Sequence, residues 1–173
     1  MRKIYLKNFK KIFIKTYENI TKDDNKPNII YNTKLNDEFD KNTFKKTLDY
    51  DILTEKTNFG IHKDDFLFYL NNKSIKHFAS QGQQKSFIIS LKMSEYEIIY
   101  NQLNIKPIMM LDDIFEKLDS TRINILMKYI RNKIFGQIFI TDTLENRLKN
   151  INRSNHEIKI FNVDNGKINS CEE

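Results

Sequence analysis

Two short stretches carry residue types that could do chemistry. Met109-Met110-Leu111-Asp112-Asp113 is an apolar run that ends in two acids. A strand of that kind delivers carboxylates to the carboxyl end of a sheet, where α/β folds bind ligands. There Asp112 can hold Mg²⁺ through water, and Asp113 can orient or deprotonate an attacking water. A solvated strand-end turn is the plain alternative. The second stretch is Ser80-Gln81-Gly82-Gln83-Gln84-Lys85, at the start of a helical pattern. Ser80 and Gln83 have the spacing of a capping box, so it reads as a well-capped helix. A small residue, a glycine and amides at a helix N-terminus equally describe an anion site, because free N–H groups and the helix dipole point at whatever binds there.

These stretches need elements to position them. Residues 4–20 place Tyr5, Leu6, Phe9, Ile12, Phe13, Tyr17 and Ile20 at helical spacing. Asn28 to Leu35 puts Ile29, Tyr31, Thr33 and Leu35 on one side of a half-buried strand, and a polar helix follows from about Asp37 to Asp51. Phe66–Leu70 and Ser74–Phe78 flank Asn71-Asn72-Lys73 as a β-hairpin. A helix runs from Gln84 to about Asn101 with Phe87, Leu91, Ser94 and Ile98 in line. The uninterrupted apolar run Pro107–Leu111 predicts a strand buried on both faces. Asp119 is the N-cap of a helix through Ile123, Leu126 and Ile130 that Gly136 stops. Gln137–Thr141 is a further apolar strand, and a short helix covers Leu144–Asn150. Glu157–Val163 and the residues beyond Asn165-Gly166 form two final strands.

Composition bounds the function. The chain has 173 residues, 39% hydrophobic and 30% charged, enough to bury a core. Cys171 is the only cysteine, which rules out a disulfide framework or a thiolate metal cluster. Without an apolar run of membrane-spanning length or a leader-like N-terminus, no membrane role and a reducing, cytoplasmic setting are expected. Ala79 and Val163 stand alone, and Arg occurs five times against twenty-four Lys, a pattern of A+T-rich codon usage. Lysine abundance therefore says little until its position is known. Arg2, Lys3, Lys7, Lys10, Lys11 and Lys15 share the first fifteen residues with no acid, and the remainder is charge-balanced, so the net charge of +6 is local. This basic helix face is open to three readings: a solvated outer surface, a nucleic-acid contact through Lys7, Lys10, Lys11 and Lys15, or a membrane-surface helix.

Taken in order, the Ser80–Lys85 loop, a helix, an apolar strand ending Asp112-Asp113 and then Lys117-Leu118-Asp119 resemble the second half of an ABC-type ATPase head. They look like its signature motif, Walker B strand and D-loop. The nearer resemblance is to the RecF family of bacterial recombination-repair ATPases, relatives of SMC proteins. Gly60-Ile61-His62-Lys63-Asp64-Asp65 is similar to that family's Gly-Pro-His-Arg-Asp-Asp stretch, with Ile61 and Lys63 as departures. Phe78–Lys85 resembles its signature, and Phe139-Ile140-Thr141-Asp142-Thr143 its terminal strand. The resemblance implies an α/β fold, the second half of an ABC-type ATPase head with a P-loop NTPase-like sheet and flanking helices. Residues 1–56 would be the end of a helical lever domain and residues 57–173 the C-terminal part of the head. It also implies ATP and Mg²⁺ as cofactors. Asp112 would bind Mg²⁺ through water and Asp113 would position the attacking water. Ser80 and Gly82 would contact the γ-phosphate of ATP held by the opposing subunit, supported by Gln81, Gln83, Gln84 and Lys85. Asp119 would cross the interface of an ATP-dependent homodimer, and Thr141 would occupy the switch position. His62 and Lys63 would stabilise the head near nucleotide or DNA, or serve structure alone.

By the same resemblance the protein binds single-stranded, gapped or junction DNA in recombinational repair and the SOS response, with RecO and RecR as partners. Against this stands one departure: no Gly-x-x-x-x-Gly-Lys-Ser/Thr occurs, and four glycines could hardly supply one. The chain is therefore expected to begin inside the lever domain, to bind little ATP alone and to expose apolar surface where its sheet lacks neighbours. The competing reading is a non-hydrolysing DNA-binding remnant or decayed gene product. A transporter ATPase fits less well, because it would carry Asp-Glu at the strand end and a switch histidine.

Overall fold

The computed structural model describes residues 2–33, 41–58, 60–131, 135–143 and 158–172. They form two compact units. The first comprises residues 1–14 and 24–79, and the second residues 15–23 and 80–173. Helix α1 (Arg2–Thr21) contributes to both. It is built as the spacing predicts, with Phe13, Tyr17 and Ile20 buried and Lys7, Lys11 and Lys15 exposed.

In the first unit, β1 (Pro27–Asn32) pairs antiparallel with β2 (Asp65–Leu70) over six residues, from Pro27 opposite Leu70 to Asn32 opposite Asp65. The predicted strand thus ends at Asn32, and Leu35 lies outside the described residues. Helix α2 (Lys41–Thr54) occupies the later part of the predicted polar helix. The hairpin turn is present: Asn71 and Asn72 both adopt positive φ, 51° and 61°, the primed geometry that matches strand twist. Its second arm differs from the expectation. Strand β3 is only Lys73–Ser74, and Ile75–Phe78 is a helical turn, α3. Strand β3 pairs only with Tyr69 and Leu70 at the turn end of β2, and from Ile75 the backbone closes its own bond instead, from the Ala79 N–H to the Ile75 carbonyl.

In the second unit, α4 (Gln81–Leu103) starts three residues earlier than Gln84, because Ser80 caps it. It ends at Asn104 in the left-handed region, a common helix stop. Helix α4 buries three serines, Ser86, Ser90 and Ser94, each donating its hydroxyl to the carbonyl four residues earlier at 2.6–2.9 Å. Those bonds satisfy buried hydroxyls without a partner element, and the small side chains let neighbours pack closely. Strands β4 (Met109–Leu111) and β5 (Ile138–Ile140) are parallel, with Met110 opposite Phe139. Helix α5 (Ser120–Ile130) lies between them in sequence, capped by Asp119 as predicted. Arg131, not Gly136, is its C-cap. Tyr96, Phe115, Leu126, Met127 and Phe135 form a single core cluster with Met109, and Leu111, Ile138 and Ile140 pack against it.

The expectation that Pro107–Leu111 is buried on both faces is overturned. Met109 is 8% exposed, whereas Met110 is 80% exposed and Ile108 63%. Alternate residues of a strand face opposite sides, and the described core covers one side of a two-stranded sheet. Strands β6 (Ile160–Asp164) and β7 (Lys167–Glu172) form a terminal hairpin with Asn165 and Gly166 at positive φ. The short helix expected over Leu144–Asn150 falls outside the described residues. Among the described residues, no helix is long and apolar enough to cross a membrane.

Candidate functional site

The site is assembled in the second unit, where the parallel strands end. Leu111 is the last residue of β4, so Asp112 and Asp113 follow at its carboxyl end, and Thr141 follows β5. The Thr141 N–H bonds the Leu111 carbonyl at 3.0 Å and extends the strand pairing by one step. That places the Thr141 hydroxyl between the two acids. Its Oγ1 donates to Asp112 Oδ1 at 2.5 Å and accepts the Asp113 backbone N–H at 2.9 Å. One hydroxyl therefore fixes both strand-end residues. Asp113 itself has φ 47°, a left-handed conformation that Asp tolerates better than most side chains, and it turns the chain out of the strand.

The N-terminus of α4 is tied to this turn. The full capping box forms: Ser80 Oγ accepts the Gln83 N–H at 3.3 Å, and Gln83 Oε1 accepts the Ser80 N–H at 2.9 Å. One turn on, Lys85 Nζ donates to the Asp113 carbonyl at 3.0 Å. The sequence presents Ser80–Lys85 and Asp112-Asp113 as separate motifs, and Lys85 joins them. Gly82 has a packing reason. A Cβ there would stand 2.9 Å from the Lys117 carbonyl and 2.8 Å from Arg122 Nη1. Gln81 is exposed and Gln84 half-buried on the same turn.

Asp119 acts as the α5 N-cap, accepting the Arg122 N–H at 2.9 Å, with the Arg122 guanidinium 3.7 Å from its other oxygen. Arg122 also approaches Asp23 at 3.9 Å. It is a site neighbour the motifs did not single out. Its only signal was the i, i+3 spacing from Asp119. Lys117, at φ 64°, holds the Glu116 carboxyl below the usual carboxylate range by a hydrogen bond and its charge, with Lys85 adding a smaller charge effect.

The residue set fits a hydrated Mg²⁺ at Asp112. One carboxylate oxygen is oriented by Thr141, Asp112 is exposed, and Mg²⁺ characteristically takes one or two carboxylates and keeps its waters. Among the described residues no three His, Cys, Asp or Glu side chains form a denser metal-binding group.

His62 and Lys63 lie in the first unit, both exposed in a short 3₁₀ turn, with His62 Nε2 3.2 Å from the Thr57 carbonyl. Asp64, in the same motif, is the residue that reasoning from sequence passed over. Its side chain is 3% exposed and accepts hydrogen bonds from Thr33 Oγ1 at 2.6 Å, from Tyr31 Oη, and from Arg2 Nη1 at 3.2 Å. Those bonds, that of Thr33 foremost, hold its carboxyl below the ordinary range. Lys7, Lys10 and Lys11 line a groove in this unit, and Lys15 does not.

No family model matches the chain. Curated relatives do. It is 39% identical over 165 residues to the DNA replication and repair protein RecF of Cytophaga hutchinsonii, covering 95% of this chain and 44% of that one. It is 38% identical over 163 residues to RecF of Flavobacterium johnsoniae, covering 94% and 45%. The chain belongs to the RecF family. It spans about half the length of the curated RecF relatives it matches and corresponds to their C-terminal part. Its fold agrees. A solved structure of the recombination mediator protein RecF with ATP, in the RecFOR pathway, superposes with a TM-score of 0.69 at 26% identity, over 96% of this chain and 44% of that one. An SMC ATPase studied for ATP-driven dimerisation and DNA-stimulated activation shares the fold, at a TM-score of 0.55 and 11% identity, over 99% and 88% of the two chains. The mixed α/β architecture is that of part of a RecF-type ATPase head.

Proposed function

We propose that this chain supplies the signature face and the Walker B end of a RecF-like ATPase. The observation that carries the reading is the bonding of Thr141 to both Asp112 and Asp113, with Lys85 tying α4 to the same turn. Asp112 would hold Mg²⁺ through water, and Asp113 would orient the attacking water. Bound there, the ion supplies positive charge against the β- and γ-phosphate oxygens of ATP. Thr141 keeps the Asp112 carboxylate in one orientation and so spares the site reorganisation when substrate arrives. The capped start of α4, with Ser80 and Gly82 foremost and Gln81, Gln83, Gln84 and Lys85 around them, presents N–H groups to a γ-phosphate held by an opposing subunit. Asp119 stands at the dimer interface in this reading. Residues 1–56 are assigned to the lever and 57–173 to the head.

The relatives are DNA replication and repair proteins, so DNA is the proposed substrate, single-stranded, gapped or at a junction. RecO and RecR are the proposed partners, in recombinational repair and the SOS response within the cytoplasm. Electrostatic attraction of DNA by Lys7, Lys10, Lys11 and Lys15 predicts a steep fall of affinity with salt, which the four-fold Lys→Gln variant should flatten.

The decisive experiment pairs this chain with full-length Cytophaga RecF and follows association by sedimentation. Complex formation that requires ATP and Mg²⁺, and is lost in Ser80→Arg, is expected. Association indifferent to ATP or to Ser80→Arg would overturn the reading.

A further inference from the structure

In the second unit, three segments converge on one guanidinium. Arg122, in the first turn of α5, places Nη2 3.9 Å from an Asp23 carboxylate oxygen just past the end of α1. Its Nε lies 3.7 Å from Asp119 at the α5 N-cap. Its Nη1 rests against Gly82, where a Cβ would stand 2.8 Å from it. The Lys117 carbonyl meets the same glycine, so the start of α4 and the turn at residues 117–119 touch where the guanidinium sits. The Arg122 and Asp23 side chains are 24% and 25% exposed, so the pair is largely withdrawn from solvent. Asp23 is itself held, because its other oxygen accepts the hydroxyl of buried Thr21 at 3.2 Å.

A planar guanidinium can face two carboxylates and a backbone surface at once, which the point charge of a lysine cannot. In a chain with twenty-four Lys and five Arg, it is arginine that stands at this contact. Partly buried charges are screened less than exposed ones, so both carboxylates act on it effectively. The consequence is geometric. Asp23 draws the guanidinium from one side and Asp119 from the other, and its third edge abuts Gly82. The wedge therefore sets the spacing between Gly82 and Asp119, which the proposed function gives to the γ-phosphate contact and the dimer interface. We propose that Arg122 is a positioning residue, anchored by Asp23, that holds the start of α4 and the Asp119 turn in register so that both meet one opposing subunit. The inference rests on the ATPase reading above and adds to it Asp23, which lies outside every motif of that reading.

Two measurements on the 173-residue chain test it. Hydrogen exchange read by mass spectrometry reports the positioning directly, without ATP. Arg122→Gln and Asp23→Asn should each speed exchange in the peptide covering residues 80–85. The double variant should add little to either, since residues that act as one unit are not additive. Sedimentation with full-length Cytophaga RecF, ATP and Mg²⁺ reports the consequence. Each single variant should weaken ATP-dependent association at least about fivefold, the lower end of a typical coupling between sites, while the unfolding temperature stays that of the unaltered chain. Arg122→Lys keeps the charge without the fork and should behave like Arg122→Gln. Exchange unchanged in either single variant would overturn the inference, as would additive effects in the double variant. A loss of association that merely tracks a lowered unfolding temperature would overturn it in favour of a packing role. Association of the unaltered chain that ignores ATP would overturn the ATPase reading and this inference together, whereas unchanged exchange overturns the inference alone.

Discussion

Thr141 shows how much one hydroxyl can organise. It bonds a backbone N–H and a carboxylate that would otherwise be oriented independently. Thr141→Val keeps the shape and removes both bonds. Because Thr141 is exposed, water replaces much of the loss, and unfolding free energy should change by less than about 1 kcal/mol. ATP-dependent association with full-length Cytophaga RecF should instead fall sharply, and Thr141→Ser should restore it. Gly82 makes the opposite prediction. Its Cβ would meet a backbone carbonyl as well as a flexible guanidinium. Gly82→Ala should therefore cost about 1–3 kcal/mol in urea unfolding, and adding Arg122→Ala should not recover it. Two titrations follow from burial and hydrogen bonding. The Asp64 carboxyl is depressed in the folded chain, so its contribution is present above the ordinary carboxylate value and is lost as pH falls below about 4. Asp64→Asn should flatten that acid limb. Burial first, and then the Asp23 charge, push the Tyr17 hydroxyl up to about 12. Its contribution is present below the ordinary value of 10.0 and is lost as pH rises towards 12, and Tyr17→Phe should remove that alkaline loss.

Among the elements, α4 carries the most information. Its capping box was readable as Ser80 followed three residues on by Gln83, because caps are local. Ser80→Ala should cost about 1 kcal/mol of stability by thermal unfolding. Its serine stripe was half legible. Ser94 fits the apolar face by spacing, but Ser86 and Ser90 are buried only because their hydroxyls bond back along the helix. The hairpin turn at Asn71-Asn72 and the α5 cap at Asp119 were likewise set by neighbouring residues. What failed was the second hairpin arm and the helix end at Gly136. The arm leaves β2 after two residue pairs although β2 runs back to Asp65, and α5 ends at Arg131; no glycine or proline marks either stop.

At the scale of the whole molecule, the apolar pattern of β4 overstated its burial. Met110 and Phe139, opposite each other in register, are 80% and 50% exposed. The 173-residue chain should self-associate through this face. Met110→Lys with Phe139→Lys should reduce that association in sedimentation without lowering the unfolding temperature, since neither side chain belongs to the core cluster. Expressed alone, the chain should show little ATP affinity, because its sequence holds no Gly-x-x-x-x-Gly-Lys-Ser/Thr loop.

The sequence by itself determined the features that close within a few residues: helix periodicity, caps, Asn-rich turns and the motifs of an ATPase head. Those signals are local, set by spacing, side-chain hydrogen bonds and backbone preference. Only the tertiary structure decided the rest. It joined Lys85 to Asp113, set Thr141 between the two acids, made Asp64 an enclosed acceptor and left one face of the parallel sheet open. Each of these brings together residues from about thirty to sixty positions apart, or depends on what covers a face. The physical reason is that burial and long-range pairing are properties of neighbours in space, which periodicity along the chain does not specify.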